Sequence, residues 1–510
     1  MVELNKIPHI DEIANRGTYA GPKAKKTENF ATRTDSPDKI LATIEDAVKA
    51  TGLKDGMTIS FHHHFRGGDH IVNQVVDVLA KMGFKNLTLA ASSLSGVHAP
   101  LIDHIKNGVI SHIETSGLRG ELAEQISRGL MEFPIVFRSH GGRAAAIDSG
   151  ELHIDVAFLG APSCDPYGNA NGYSRDDDDS ILCGSMGYAV PDATHADKVV
   201  VLTNNLVKYP NMPCAIPEHQ VDYIVVIDDI GDPKGIMSGA TRYTKNPKEL
   251  LIGAGIGKIG SRVVKGLLIA QTAAEVIDAA GYFYDGFSMQ MGSGGASLAA
   301  ARYLRQMMID KGIKCRFALG GITGQIASMH EEGLVERILD VQSFDAAQSL
   351  KKNFDHHQIS ATYYASFLQD AAVDQLDFVI LSALEIDTDF NVNVLTGSDG
   401  VIRGAIGGHP DTAAGASLAV VVAPLTRGRI PSIIDKVNTV VTPGATVDVV
   451  VTDQGVAVNP NRPEVAEKLK AAGIKVFTIE QLKAKAEAIV GKPEPIRYKD
   501  NIVGVVMYRD

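Results

Sequence analysis

The chain repeats itself, and no other feature narrows its fold as far. Residues 153–172, HIDVAFLGAPSCDPYGNANG, align without gaps with residues 375–394, QLDFVILSALEIDTDFNVNV. Asp155, Leu159, Ala161, Asp165, Asn169 and Asn171 meet Asp377, Leu381, Ala383, Asp387, Asn391 and Asn393 at a constant offset of 222. Three further pairs fall in the same order: Asp55 with Asp285, Gly108 with Gly333, and Pro191 with Pro410. Along the chain the offset falls steadily from 230 to 219, as changing loop lengths would make it. A collinear series of this kind predicts a duplicated unit rather than one continuous domain.

The unit itself reads as α/β. From Lys39 onward, amphipathic helical stretches (ILATIEDAVKATG, HIVNQVVDVLAKMGF) alternate with short apolar runs (MTISF, NLTLAAS, PIVFRS, VAFLG, KVVVLTN, DYIVVID). Such alternation predicts a mainly parallel sheet covered by helices. Residues 1–38 are polar and lack periodicity, and are expected to form an N-terminal arm. The first domain is expected over residues 39–245 and the second over 246–510, the latter closing with VDVVVTD, RPEVAEKLKAAG, KVFTI and EQLKAKAEAIVG. A cleft between two such domains is a favoured ligand site.

Where the repeat breaks, chemistry is expected. Ser163 is replaced in the second half by Glu385, just after the strand DFVILSALE. Ligands meet open α/β sheets at the carboxyl ends of their strands. A carboxylate there can serve as a nucleophile, or be an ordinary solvated loop acid. Gln290, Gly292, Gly294 and Gly295 lie between a strand and a helix, the context of an oxyanion site. Gly404, Gly407 and Gly408 form a second Gly-rich loop before His409-Pro410-Asp411. Either loop can present N–H groups to a carbonyl or simply make a tight turn.

FHHHFRGGD follows the first strand. In an extended chain His62 and His64 share a face, with His63 opposite. Arg66 can hold a carboxylate bidentately, and Gly67 and Gly68 permit close approach. Anion binding, a metal site and a packing role compete here. No H-E-x-x-H or local Cys set accompanies the histidines, so no metal is expected. Arg138-Ser-His140-Gly-Gly-Arg143 is a second cationic loop, either a carboxylate site through Arg138 and Arg143 or a solvated turn.

Other features are set aside. Gly255-x-Gly257-x-x-Gly260 lacks the βαβ context of a dinucleotide fingerprint. Asp176–Asp179 lacks the ligand spacing of a cation loop. His356 and His357 are expected on the surface, at a polar helix start. A net charge of −11 gives no support to nucleic-acid binding. No apolar run reaches a membrane span, and the polar start gives no signal peptide. Four cysteines without a C-x-x-C pair suit a reducing compartment, so the cytoplasm is expected.

At these residues the chain resembles a known family, the α subunits of bacterial citrate lyase, over nearly its whole length. TISFHHHFRGGD carries the resemblance most specifically; SALEIDTDFNVN and GAIGGHPD resemble the wider CoA-transferase superfamily. The resemblance implies two tandem CoA-transferase-like (NagB/RpiA-like) domains with the active site between them. It implies acyl transfer from acetyl-S-acyl-carrier protein, or acetyl-CoA, to citrate, giving citryl-S-carrier and acetate. On this reading Glu385 is the catalytic carboxylate, acylated in CoA-transferase relatives. Gln290, Gly292, Gly294, Gly295, Gly404, Gly407 and Gly408 surround the thioester. His62, His64, Arg66, Gly67, Gly68, Arg138 and Arg143 hold citrate. The chain binds no cofactor itself. The implied partners are an acyl-carrier γ subunit with a CoA-like prosthetic group, a citryl-carrier lyase β subunit, and further copies of the chain. A Glu-dependent acyl-CoA:carboxylate CoA-transferase, a citramalate-specific homologue and a non-catalytic scaffold are the alternatives.

Overall fold

The computed structural model describes residues 37–174, 181–236, 261–292, 295–494, 496, 498–499 and 501–509. The Gly255–Gly260 motif, Asp176–Asp179, Gly294 and the expected domain boundary near residue 245 lie outside the described residues.

Two nine-stranded sheets dominate. The first contains β1 (Ile40–Leu41), β2 (Thr58–Phe61), β3 (Leu87–Ala91), β4 (Ile110–Thr115), β5 (Ile135–Arg138), β6 (Val156–Ala161), β7 (Lys198–Thr203) and β8 (Tyr223–Val226). The second contains β9 (Phe287–Met291), β10 (Cys315–Ile322), β11 (Ile338–Ser343), β12 (His356–Gln358), β13 (Phe378–Ser382), β14 (Leu418–Val422), β15 (Val449–Thr452), β16 (Gly455–Val458) and β17 (Val476–Phe477). A last strand, β18 (Gly504–Met507), completes the first sheet.

One spatial order governs both sheets. The first runs β8-β7-β6-β2-β3-β4-β5 through its middle, and the second runs β15-β14-β13-β9-β10-β11-β12. Pairing is parallel throughout both runs. The central strands are buried β-branched and aliphatic runs, as parallel sheets covered on both faces require. Helices α1 (Ile44–Thr51) and α2 (Ile71–Met82) bury apolar faces in the first unit. Helices α3 (Ser261–Ala280) and α4 (Gly295–Lys311) belong to the second.

The aligned residues make matching hydrogen bonds. Asp155 accepts the Thr58 N–H at 2.8 Å, and Asp377 accepts the Ser288 N–H at 2.8 Å. Asp55 accepts from Lys85 N–H and Asp285 from Lys314 N–H. Asp165 and Asp387 each organise the turn that follows them, and each receives an Asn side-chain amide, from Asn169 and Asn391 respectively. The repeat is therefore read largely from turn-forming aspartates, whose carboxylates satisfy backbone N–H groups at strand ends.

Three expectations are corrected. The expected first helix begins at Ile44; Ile40 and Leu41 form the edge strand β1 instead. The expected second domain does not keep its end, because β18 pairs in parallel with β5 of the first sheet, Gly504 opposite Ile135. His356 and His357 lie in β12 rather than a helix. His356 is buried on Asp340 at 2.8 Å, while His357 is exposed.

Candidate active site

The carboxyl ends of both sheets face one another across a cavity of about 640 Å³. Several strand ends deliver residues to it: His63 and Arg66 after β2, Ser93 and Ser95 after β3, Arg119 after β4, Gly292 after β9, Ala383 and Leu384 after β13. Strand polarity alone thus brings both halves of the chain to one site.

The three histidines after β2 divide as their alternation requires. His63 turns into the cavity; His62 and His64 turn into the core, their rings 3.4 Å apart. None of the four ring nitrogens of His62 and His64 has a hydrogen-bond partner among the described residues. Burial, with Arg143 nearby, holds His62 at a pKa of about 3 and His64 well below the ordinary value. His63 Nδ1 meets the Ser92 hydroxyl at 2.6 Å. Its ring stacks on His140 at 5.3 Å and on Tyr188 at 4.8 Å.

His140 is the first residue of a helix, His140–Asp148, capped by Ser139. Burial and the guanidinium groups of Arg143 and Arg119 hold it at about 3. His63 is likewise held well below 6.5, by burial first and by His140 and Arg66 next. This wall of the cavity is therefore a neutral aromatic and imidazole surface at physiological pH, able to donate hydrogen bonds without adding charge.

The cations lie elsewhere in the cavity. Arg66 sits in the left-handed region at φ 53°, its guanidinium 4.3 Å over the Phe344 ring. Its buried Nη1 has no hydrogen-bond partner among the described residues, and burial lowers its pKa to about 10. A non-glycine residue at this φ costs about 1–3 kcal/mol, and such strain clusters at functional sites. Arg119 is open to the cavity yet crowded by protein, and that crowding lowers its pKa. Neither arginine makes a hydrogen-bonded ion pair among the described residues, though the Asp345 carboxylate acts on Arg66 from a distance. Two guanidinium groups, one of them drawn on by the Asp345 carboxylate, thus give this cleft a cationic face.

The other expected arginines are placed away from the cavity. Arg138 is paired with Glu114 and Glu151 at 2.9 and 2.8 Å. Arg143 is buried, bidentate on Asp192 at 2.8 and 2.7 Å. Of this loop only His140 lines the cavity. Gly67 lines it too, whereas Gly68 packs so tightly that a Cβ would lie 2.2 Å from the Asp232 carbonyl oxygen.

The loop from Gly404 to Gly408 crosses from the second half to the first. Leu118 N–H donates to the Gly404 carbonyl, Ile406 N–H to Ser116, and His140 N–H to Gly407. Gly407 adopts φ 59°, and a Cβ on Gly408 would lie 2.3 Å from the Tyr364 hydroxyl. The N–H groups of Gly407 and Gly408 find no acceptor among the described residues. Gly292 donates its own N–H to the Ile380 carbonyl at 2.8 Å, and Gly295 opens α4. Gln290 gives its amide N–H to the Tyr364 hydroxyl and leaves Oε1 unpartnered.

Glu385 stands immediately behind this wall. It is buried, accepts the Asn393 amide at 3.0 Å and lies 4.0 Å from Arg427. Its neighbours Ala383 and Leu384 line the cavity, but Glu385 does not.

Sequence reasoning passed over His63, Arg119, His140 and Tyr188. The first three lie two to four residues past strand ends, which is the signal that would have found them. Tyr188 follows no strand, and only the tertiary fold brings it in.

The family model "Citrate lyase, alpha subunit (CitF)" matches residues 37–510. The citrate lyase α chain of Escherichia coli (strain K12) is 56% identical over 475 residues, covering 92% of this chain and 89% of that one. The Haemophilus influenzae α chain is 55% identical over 500 residues, covering 98% and 95%. A solved Streptococcus mutans structure, named for the α subunit of citrate lyase and in complex with citrate, superposes with a TM-score of 0.86 at 52% identity, covering 99% and 96%. A Pseudomonas malonate decarboxylase hetero-tetramer shares the fold alone, with a TM-score of 0.63 at 17% identity, covering 90% and 84%. With the family model matching residues 37–510 and relatives matching nearly end to end, the chain belongs to the citrate lyase α-subunit family.

Proposed function

We propose that the chain transfers an acyl carrier: acetyl-S-carrier + citrate → citryl-S-carrier + acetate. The observation behind this reading is one cavity lined both by the guanidinium groups of Arg66 and Arg119 and by Gly407 and Gly408, whose N–H groups have no acceptor among the described residues. A citrate carboxylate attacks the acetyl thioester carbonyl and expels the thiolate. The thiolate then attacks the citryl carbonyl of the mixed anhydride, and acetate leaves. Both steps build an oxyanion, which the Gly407 and Gly408 N–H groups stabilise; one such donor is typically worth about 10²–10³ in rate.

Arg66 and Arg119 hold the carboxylates that do not react. His63 and His140, kept neutral, donate hydrogen bonds to citrate. Glu385 acts electrostatically, orienting Asn393 and Arg427 behind the wall, rather than as the acylated nucleophile. His62, His64, Arg138, Arg143 and Gly68 serve the scaffold. In this scheme the carrier is a γ subunit bearing a CoA-like prosthetic group, a β subunit cleaves the citryl thioester, and the chain works as a homo-oligomer in the cytoplasm. No helix among the described residues is long and apolar enough to cross a membrane.

The test uses the full chain with radiolabelled acetyl-CoA, then with acetyl carrier protein. Citrate-dependent acetate release matched by citryl thioester is expected, with citramalate a poor substitute. Release without citryl thioester, or no release even with the carrier, would overturn the proposal.

A further inference from the structure

The last strand of the sequence does more than extend a sheet. From β18, paired with β5 at Gly504 to Met507, the chain carries Arg509 back into the seam between the two units. Arg509 is buried there, its Nη1 donating to the Asp411 carbonyl at 2.9 Å and its Nε lying 3.9 Å from the Asp411 carboxylate. Asp411 in turn accepts the Ser139 hydroxyl at 2.7 Å and the Gly141 N–H at 2.9 Å. Those two residues flank His140, whose N–H is held by the Gly407 carbonyl. Two covalently distant segments thus reach the cavity through one carboxylate.

We propose that Arg509 is a positioning residue: through Asp411 it fixes the helix start that presents His140 and the turn that presents the Gly407 and Gly408 N–H groups. Asp411 is the third residue past the Gly408 cap of the helix His409–Gly415, so a shift of its side chain is transmitted directly to that turn. The arrangement works only with Asp411 ionised, because the carboxylate must accept two donors at once. Burial pushes Asp411 up to about 6, while Gly141, Ser139 and Arg509 oppose that rise. The other groups acting on it are Asp374, which raises it, and the phenols of Tyr188 and Tyr364. Removing Arg509 therefore moves the ionisation of Asp411 to higher pH. The proposal rests on the acyl-exchange reading for what the site does, and on geometry alone for how it is held.

The experiment compares R509A and R509K with the wild-type full chain by two readouts. Amide hydrogen exchange over residues 139–148 and 404–411 requires no activity. R509A is expected to speed it by ~10-fold or more there, leaving β2, β3 and β6 unchanged, with R509K intermediate. In acyl exchange R509A is expected to lower kcat by ~10–100-fold with the citrate KM within about 3-fold, because the groups are misplaced rather than removed. The acid limb of the kcat profile should rise by ~0.5 pH unit or more, and R509K should restore most of both. Wild-type exchange at these segments in R509A, or a uniform increase across the first unit, would overturn the proposal, as would a wild-type kcat with an unmoved acid limb. If the wild type itself catalyses no exchange of acyl groups, the acyl-exchange reading fails, and amide exchange still decides whether Arg509 holds the two segments.

Discussion

The Gly407 carbonyl accepts the His140 N–H at 2.9 Å, so a turn from the second unit and a helix start from the first form one wall. Gly407 holds φ 59°, and a Cβ there would face the His140 ring at 3.7 Å. There is room for the atom but no comfortable backbone for it. Gly407→Ala is expected to cost about 1–2 kcal/mol and to rotate the N–H away from the oxyanion, with kcat reduced by ~10²-fold. Gly408→Ala should do more harm, because its Cβ meets the Tyr364 hydroxyl at 2.3 Å and must displace it from Gln290. Steady-state kinetics beside thermal melts separate the two effects.

Arg66 and Arg119 are expected to set affinity for the acid rather than the rate of its chemistry. Arg66→Ala should raise the citrate KM by ~10–100-fold, since a charge-assisted contact is worth about 1.5–3 kcal/mol. Arg66→Lys keeps the charge but loses the planar fork over Phe344, so it should recover only part of that. Arg119→Ala should raise KM as well. A fall in kcat at unchanged KM for both variants would contradict their placement as carboxylate ligands.

Much of this was legible in the sequence because it is local. Strand and helix periodicity pointed to β2, β3, β5 to β8 and the two helices α1 and α2, and the repeat pointed to two sheets, which the fold has in the same central strand order. Arg66, singled out just past a strand, and the Gly-rich run before His409-Pro410-Asp411, singled out by residue type, both line the cavity. The errors share one cause. Alternation tells that His62 and His64 share a face and His63 opposes them, but not which face meets ligand. Only the packing of β2 between β3 and β6 decides that. Likewise β18 joins β5 across more than three hundred residues, a pairing that leaves no trace in local pattern.

Acid should destabilise the protein through its buried histidines. His62 and His140 sit at about 3 and His409 at about 4, with His63 and His64 also lowered, against about 6.5 in the unfolded chain. Below pH 6.5 the unfolded state takes up protons the native state refuses, so stability is full above 6.5 and falls as pH drops. Each group contributes a slope of up to about 1.4 kcal/mol per pH unit. Asp411, raised to about 6, and Asp148 and Asp448, raised by burial, oppose this above the ordinary carboxylate range, three groups against five. The urea midpoint is expected to be lower at pH 5.5 than at 7.5, and His64→Leu should flatten the dependence. A midpoint independent of pH in this range would refute the assignment.

Glu385 should behave as a positioning carboxylate. Its Oε2 accepts the Asn393 amide and its Oε1 faces Arg427, and it stands outside the cavity lining. Glu385→Gln can still accept from Asn393 but cannot balance Arg427, so a loss of ~10–100-fold in kcat is expected, short of inactivation. No acyl-enzyme sensitive to hydroxylamine should form when acetyl thioester is supplied without citrate. Trapping of a Glu385 thioester or acyl adduct would establish instead the covalent route of a CoA-transferase.

Arg143 gives the sharpest contrast between residue type and role. It lies in a cationic loop beside His140, as a substrate ligand would, yet its guanidinium is turned into the core. There it grips Asp192 with two hydrogen bonds at 2.8 and 2.7 Å and donates a third to the Ala90 carbonyl at 3.1 Å. Both partners are buried. Removing one member strands the other charge, which typically costs about 3–5 kcal/mol. Arg143→Ala should therefore lower the denaturation midpoint sharply, while the fraction that stays folded keeps a citrate KM near that of the wild type. Replacing both residues, Arg143→Met with Asp192→Leu, should recover much of the stability, because no charge is left unpaired. A citrate KM raised tenfold in the double variant, with stability restored, would return Arg143 to the binding site.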